Sequence, residues 1–277
     1  MKVMDLLSMI FKTFNLTVYK EGANIVVKTL DDYLSSGNTY DITKYVDINK
    51  SKVNRFTPFS NIAFKYSEPT TQTSLSYLNN NGQVFGDLNY NQEDKFDGTS
   101  FTVSTGSEHS LLINLIDQNG GAESGVVIAL FTDPEGKPVK GNPYLFFNRY
   151  NDVTGFEVLN NGTYSNYNAP ANTTSDGNHT LNFGSEFDEY NGVQNDNSLF
   201  SRFYEQYIVN SFNVKSRIVR YTAFLPLNIL TNYGLNDVFV IGNNSYFINA
   251  IKTNLTTGKS DLELITKLND YTASVLT

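Results

Sequence analysis

Residues 217–268 read "RIVRYTAFLPLNILTNYGLNDVFVIGNNSYFINAIKTNLTTGKSDLELITKL". Val219, Tyr221, Ala223 and Leu225 alternate with polar positions, which marks one face of a strand. "LNILTNYG" is a short helical turn that Gly234 can close. "DVFVIG", "SYFINAIKTNL" and "SDLELITKL" follow as three strands. "TTGK" joins the last two, and Gly258 supplies the positive φ of a tight hairpin. This C-terminal block is therefore a β-meander, and it fixes the reading of the chain as mainly β (α+β).

Working outward, "SLFSRFYEQYIVNSF" places Leu199, Phe200, Phe203, Tyr204, Tyr207 and Ile208 at helical spacing, with Asn197 or Ser198 as N-cap. Residues 198–277 form a C-terminal helix-plus-meander lobe. The other end opens "MKVMDLLSMIFKTFNLTVY". Asp5, Ser8 and Lys12 interrupt its apolar run, which excludes the h-region of a signal peptide. The run is also too short for a membrane span. Met4, Leu7, Phe11 and Phe14 share a helical stripe, so an amphipathic helix with those four side chains buried is expected. "NLTVYK", the loop "EGAN" and "IVVKTL" then make a hairpin, and "NIAFKYSE" a strand with Ile62, Phe64 and Tyr66 on one face. Asp31 is placed to cap a short helical turn that Gly37 ends. Residues 1–68 read as an N-terminal lobe.

Residues 69–197 read as an Asn/Gly-rich β insertion with long loops. "SFTVST", "HSLLINLI" and the apolar "GVVIALFT" are strands, the last buried on both faces. "DPEGK" (133–137) turns the chain into "NPYLFFNRY", and the two form a hairpin. Residues 151–197 are the least hydrophobic part, either a long surface excursion or a loop that orders against a neighbour.

Composition narrows the function. The 277 residues contain no Cys and no Trp, but 18 Tyr and 20 Phe. Thiolate metal sites and disulfides are excluded. The net charge of −8 and the absence of a basic run argue against nucleic-acid binding. No apolar stretch is long enough for a membrane span.

Chemistry is sparse. His109 and His179 have no second histidine at ligand spacing. No nucleophile elbow, phosphate loop or dinucleotide fingerprint occurs. Asp31-Asp32, Glu93-Asp94 and Asp188-Glu189 are carboxylate pairs, but they lie in turn-rich polar segments, where caps and solvated turns are expected. "DPEGK" and "NDN" lack calcium-loop spacing. No catalytic residue, metal ligand or cofactor site is assigned, and the chain is read as a non-enzyme. The candidate interface or ligand residues are Tyr164, Asn166, Tyr167 and Asn168, in a Tyr/Asn-rich loop suited to gripping a protein or stacking on a sugar.

Two stretches resemble a known family. Residues 4–50, "MDLLSMIFKTFNLTVYKEGANIVVKTLDDYLSSG" onward, are similar to a helix–hairpin unit of tail-tip and baseplate-hub proteins of tailed bacteriophages. Residues 200–268, with a strand ending in Leu-Pro-Leu before the meander, resemble the close of structural proteins from marine and Bacteroidetes-infecting phages. The resemblance implies β-barrel lobes of tail-tube or hub type with a few short amphipathic helices. It implies a virion protein of the tail, assembled in the host cytoplasm, whose partners are other copies of itself in a ring, the tail tube, and distal spike or fibre proteins. It carries over no active-site residue. The alternative function is a receptor- or carbohydrate-binding tail protein that uses the Tyr/Asn loops.

Overall fold

The computed structural model describes residues 2–55, 59–91, 99–109, 113–115, 125–127, 137–138, 141–157, 163–174, 177–188, 193–213 and 215–268. The elements run α1 (Val3–Thr13), β1 (Leu16–Glu21), β2 (Asn24–Thr29), α2 (Leu30–Ser35), β3 (Thr39–Asp41), β4 (Val46–Arg55) and β5 (Asn61–Lys65). Next come α3 (Gln72–Asn81), β6 (Leu88–Asn91), β7 (Ser100–Ser104), β8 (Glu108–His109), β9 (Ile113–Leu115), β10 (Gly125–Val127) and β11 (Tyr144–Leu145). β12 (Phe147–Glu157), β13 (Thr163–Ala171), β14 (Glu186–Asp188), β15 (Val193–Asn195), α4 (Leu199–Phe203) and α5 (Glu205–Ser211) follow. The chain closes with β16 (Arg217–Phe224), α6 (Leu227–Asn232), β17 (Val238–Ile241), β18 (Asn244–Thr253) and β19 (Lys259–Lys267). The fold is mainly β with short helices. The six-stranded sheet is open, and among the described residues no sheet closes into the barrel that the resemblance implies.

Two compact units are interleaved along the sequence. One comprises 1–14, 62–91 and 101–202; the other comprises 15–61, 92–100 and 203–277. Each draws on segments far apart in the chain.

The second unit is built on a six-stranded sheet in the order β3-β17-β18-β19-β16-β4. The meander strands form its middle, as the alternation requires. The N-terminal strands β3 and β4 become its two edges. Val219, Ala223, Phe239, Ile241, Tyr246, Ile248, Leu262 and Leu264 are buried in its core, and Ile42, Leu225 and Ile229 pack with them. Gly258 takes φ +71° in the β18–β19 hairpin, as expected from "TTGK". β1 and β2 pair as the expected hairpin, with Gly22 at φ +60° in its turn. Thr29, not Asp31, caps α2: its hydroxyl accepts from the Asp32 N–H at 3.2 Å. Gly37 does not end that helix by its φ. A Cβ there would stand 1.9 Å from the Asn236 carbonyl oxygen, so backbone meets backbone.

In the first unit Ile62, Phe64 and Tyr66 are all buried, as their shared face predicts. Phe64 stacks on Phe183 at 5.2 Å, and the Tyr66 hydroxyl donates to the Leu181 carbonyl at 2.6 Å. Leu181 and Phe183 lie in the polar 151–197 stretch. That stretch is therefore not simply a surface excursion: part of it supplies core side chains, and residues 147–157 and 163–171 pair as a long antiparallel hairpin.

Two further expectations are corrected. α1 forms where its periodicity places it, with the Asp5 carboxylate accepting from the Lys2 N–H at 2.9 Å. Its apolar stripe is not buried, however: Met4 is 67% and Leu7 40% exposed, and Phe11 and Phe14 are only half-buried. The buried positions are Met9 and Thr13, because only the C-terminal part of the helix is packed over. The hairpin expected between "GVVIALFT" and "NPYLFFNRY" falls largely outside the described residues. β10 pairs with β9, β11 with β8 and β12 with β13, while 128–132 and the turn at 133–136 lie outside the described residues. Finally, residues 72–81 form the helix α3 where the sequence shows only a loose polar stretch.

Candidate functional site

Tyr164, Asn166, Tyr167 and Asn168 lie on the strand β13, not in a loop. They stand opposite Phe156, Asp152, Asn151 and Tyr150 of β12. The backbone of this Tyr/Asn-rich segment is thus spent on a ladder, which holds the four residues in a fixed register.

Among the described residues the other chemistry-bearing side chains form no cluster. Asp31 and Asp32 occupy the first turn of α2, where carboxylates complement the helix dipole. Burial first, and the Asp32 charge second, push the Asp31 carboxyl up to about 6. Glu93, Asp94 and Glu189 lie outside the described residues. His179 is half-buried, and its Nδ1 meets no hydrogen-bond partner among the described residues. No group of three or more potential metal ligands occurs among the described residues.

Several buried or half-buried carboxylates act as anchors, which the sequence reading missed. Glu108 is buried, and its carboxylate accepts four hydrogen bonds. The N–H and hydroxyl of Thr70 donate to Oε2 at 2.8 and 2.8 Å; those of Thr71 donate to Oε1 at 3.1 and 2.9 Å. Thr71 is the N-cap of α3, so Glu108 satisfies the start of a helix from 37 residues away. This explains a helix whose own sequence has no acidic first turn and no side-chain cap. Glu186 accepts from Asn172 at 2.6 Å, Thr180 at 2.6 Å and Asn182 at 3.3 Å, tying those three residues to β14. Asp87 accepts from the Tyr66 N–H at 2.8 Å; burial raises its carboxyl to about 6 against the opposing effects of that bond and of Lys65. In the second unit, Asp237 accepts from the N–H groups of Asn38 and Gly234, each at 2.6 Å. The only available sequence signal was an acidic residue set among Thr, Asn and Gly.

One groove of about 390 Å³ opens on the sheet of the second unit. Its charged lining is Lys50, Lys52, Arg220, Lys252, Asp261 and Glu263. Its position follows from two irregularities. Lys52 pairs with Arg220 and Asp47 with Thr222, so residues 48–51 of β4 bulge out where β16 has one residue. Asn249 is likewise an extra residue in β18, between the pairs Ile248–Leu264 and Ala250–Glu263. Bulges bend strands and interrupt a ladder, which leaves a depression. Arg220 Nε and Nη2 both reach Glu263 Oε2 at 2.6 Å, and Asn249 donates to Oε1 at 2.6 Å. The Arg220 bond, then that from Asn249, holds the Glu263 carboxyl below the usual range.

No protein-family model and no curated protein sequence matches this chain. Among the described residues no helix is long and apolar enough to cross a membrane.

Proposed function

We propose that the chain is a structural component of a phage tail, a hub or adaptor at the tail tip or baseplate. In this reading copies of the chain close a ring and join the tail tube to distal spike or fibre proteins. One observation carries it. The two stretches that resemble such proteins, 4–50 and 200–268, contribute to one sheet: β3 and the first half of β4 come from the first stretch, and β16–β19 from the second. Segments 150 residues apart in the sequence thus make a single module, as an inherited unit with an insertion would.

Exposed surface supports assembly as well. Among the described residues β4 is a ten-residue edge strand, exposed from Ile48 to Arg55. Long exposed edges are templates for another strand and are covered in assemblies. Val18, Ile25 and Val27 of the first hairpin are exposed at 53%, 78% and 49%. Val18 and Val27 are directly opposed, so an apolar patch forms on one face of that hairpin.

The test is immunogold labelling of purified virions with antibody against the chain. Label confined to the distal end of the tail is expected. Label on the capsid, or none on intact virions, overturns the proposal. Peripheral label with glycan binding lost on Tyr164→Ala and Tyr167→Ala would favour the receptor-binding alternative instead.

A further inference from the structure

The groove of the second unit is net positive on a chain whose net charge is −8, with four cationic side chains facing two carboxylates. Most of these charges are already engaged. Arg220 is held by Glu263 at 2.6 Å, Asp261 accepts from the Thr222 hydroxyl at 3.2 Å, and Lys50 meets Asp47 at 3.3 Å. Lys52 and Lys252 remain exposed, and neither forms an ion pair or a hydrogen bond among the described residues. Lys52 stands beside Arg220 in the register, where like charges repel. Lys252 lies on the far side of the groove, opposite Asp261.

From this geometry we infer that the groove binds an extended acidic protein segment laid across the strands β4, β16, β19 and β18. The spacing sets the ligand. Three interstrand steps, with the two-residue offset, separate Lys52 from Lys252 by roughly 15 Å. Two lysines that extend away from the sheet at this spacing hold their ammonium groups too far apart for one phosphate or carboxylate to meet both. An extended segment with carboxylates four residues apart spans about 14 Å and presents both on one side. The intervening backbone lies over the Arg220–Glu263 pair, whose mutual satisfaction removes any need for a third charge there. The inference rests on the groove alone and stands without the tail-tip reading.

The test uses the full chain and a fluorescein-labelled extended peptide bearing glutamates four residues apart, read by anisotropy. Saturable binding that weakens as salt rises is expected, because exposed charges are screened within about 10 Å at 0.1 M. Reversing both lysines, Lys52→Glu with Lys252→Glu, should weaken binding at least about tenfold, the scale of two charge contacts. Lys20→Glu, on the hairpin β1–β2, should leave it unchanged. A peptide with adjacent glutamates should bind several-fold more weakly. Lys52→Gln with Lys252→Gln repeats the test without introducing acidic groups, and circular dichroism confirms that both double variants fold. Absence of saturable binding overturns the inference, as does a double variant that binds like the parent. Displacement by inorganic phosphate at equal charge would show a general anion site and overturn the peptide assignment. Self-association lost with the same lysines would assign the groove to a second copy and overturn it likewise.

Discussion

Glu108→Ala is the substitution that probes the first unit most sharply. The carboxylate accepts four hydrogen bonds between 2.8 and 3.1 Å, two from Thr71, which is fully buried, and two from the half-buried Thr70. Water can replace the acceptor for Thr70. It cannot reach Thr71, whose N–H and hydroxyl are left unsatisfied at about 1–3 kcal/mol each. Relief of the buried charge offsets part of this, and the net cost is about 2–4 kcal/mol. Glu108→Gln keeps one acceptor oxygen but turns an NH2 toward one threonine pair, for about 2 kcal/mol. Urea unfolding followed by circular dichroism measures both. Hydrogen exchange should also show lost protection at the Leu75 amide, which donates to the Thr71 carbonyl at 2.9 Å in the first turn of α3. Losses within 1 kcal/mol of the parent for Glu108→Ala, or a Gln variant less stable than the Ala variant, would refute the capping role.

Gly37→Ala drives a methyl into the Asn236 backbone and displaces the Asn38–Asp237 bond of 2.6 Å; a loss of about 3 kcal/mol or more is expected in thermal unfolding. Leu264→Ala removes a fully buried side chain from the six-stranded sheet and should cost about 2–5 kcal/mol by urea titration. The Asp87 carboxyl, raised to about 6 from 3.8, favours its protonated form when folded. Its contribution is therefore complete below about pH 4 and is lost as pH rises through about 6. The rise from 3.8 to about 6 is worth about 3 kcal/mol unscreened, and partial exposure reduces this to about 1 kcal/mol. Asp87→Asn, which keeps an acceptor for Tyr66, should flatten that part of the stability profile. Serine at Val3, Met4, Leu6 and Leu7 should change unfolding free energy by under about 1 kcal/mol, since all four are exposed.

Legibility followed locality. The meander was readable because period-2 alternation and Gly258 both act within a few residues, and Val219, Ala223, Leu262 and Leu264 are buried as that pattern requires. α1 was readable as a helix, but not in its burial. Periodicity reports which side chains share a face; it does not report whether anything covers that face, so Met4 and Leu7 misled. α3 was hidden because its capping carboxylate lies 37 residues downstream. The hairpin of β12 and β13 was hidden because Asn and Tyr satisfy a ladder as well as they populate loops. The groove depends on the register between β4 and β16, segments whose paired residues are about 170 positions apart. No local pattern carries that information, and the four lysine and arginine positions do not form a run.

Cryo-electron microscopy of the tail's distal end tests the proposed role most directly. The expected map holds the open six-stranded sheet repeated around the tail axis, with the β4 edge, Val46–Arg55, covered by a neighbouring chain. A distal ring built without this sheet, or the chain found only off the axis, would contradict it.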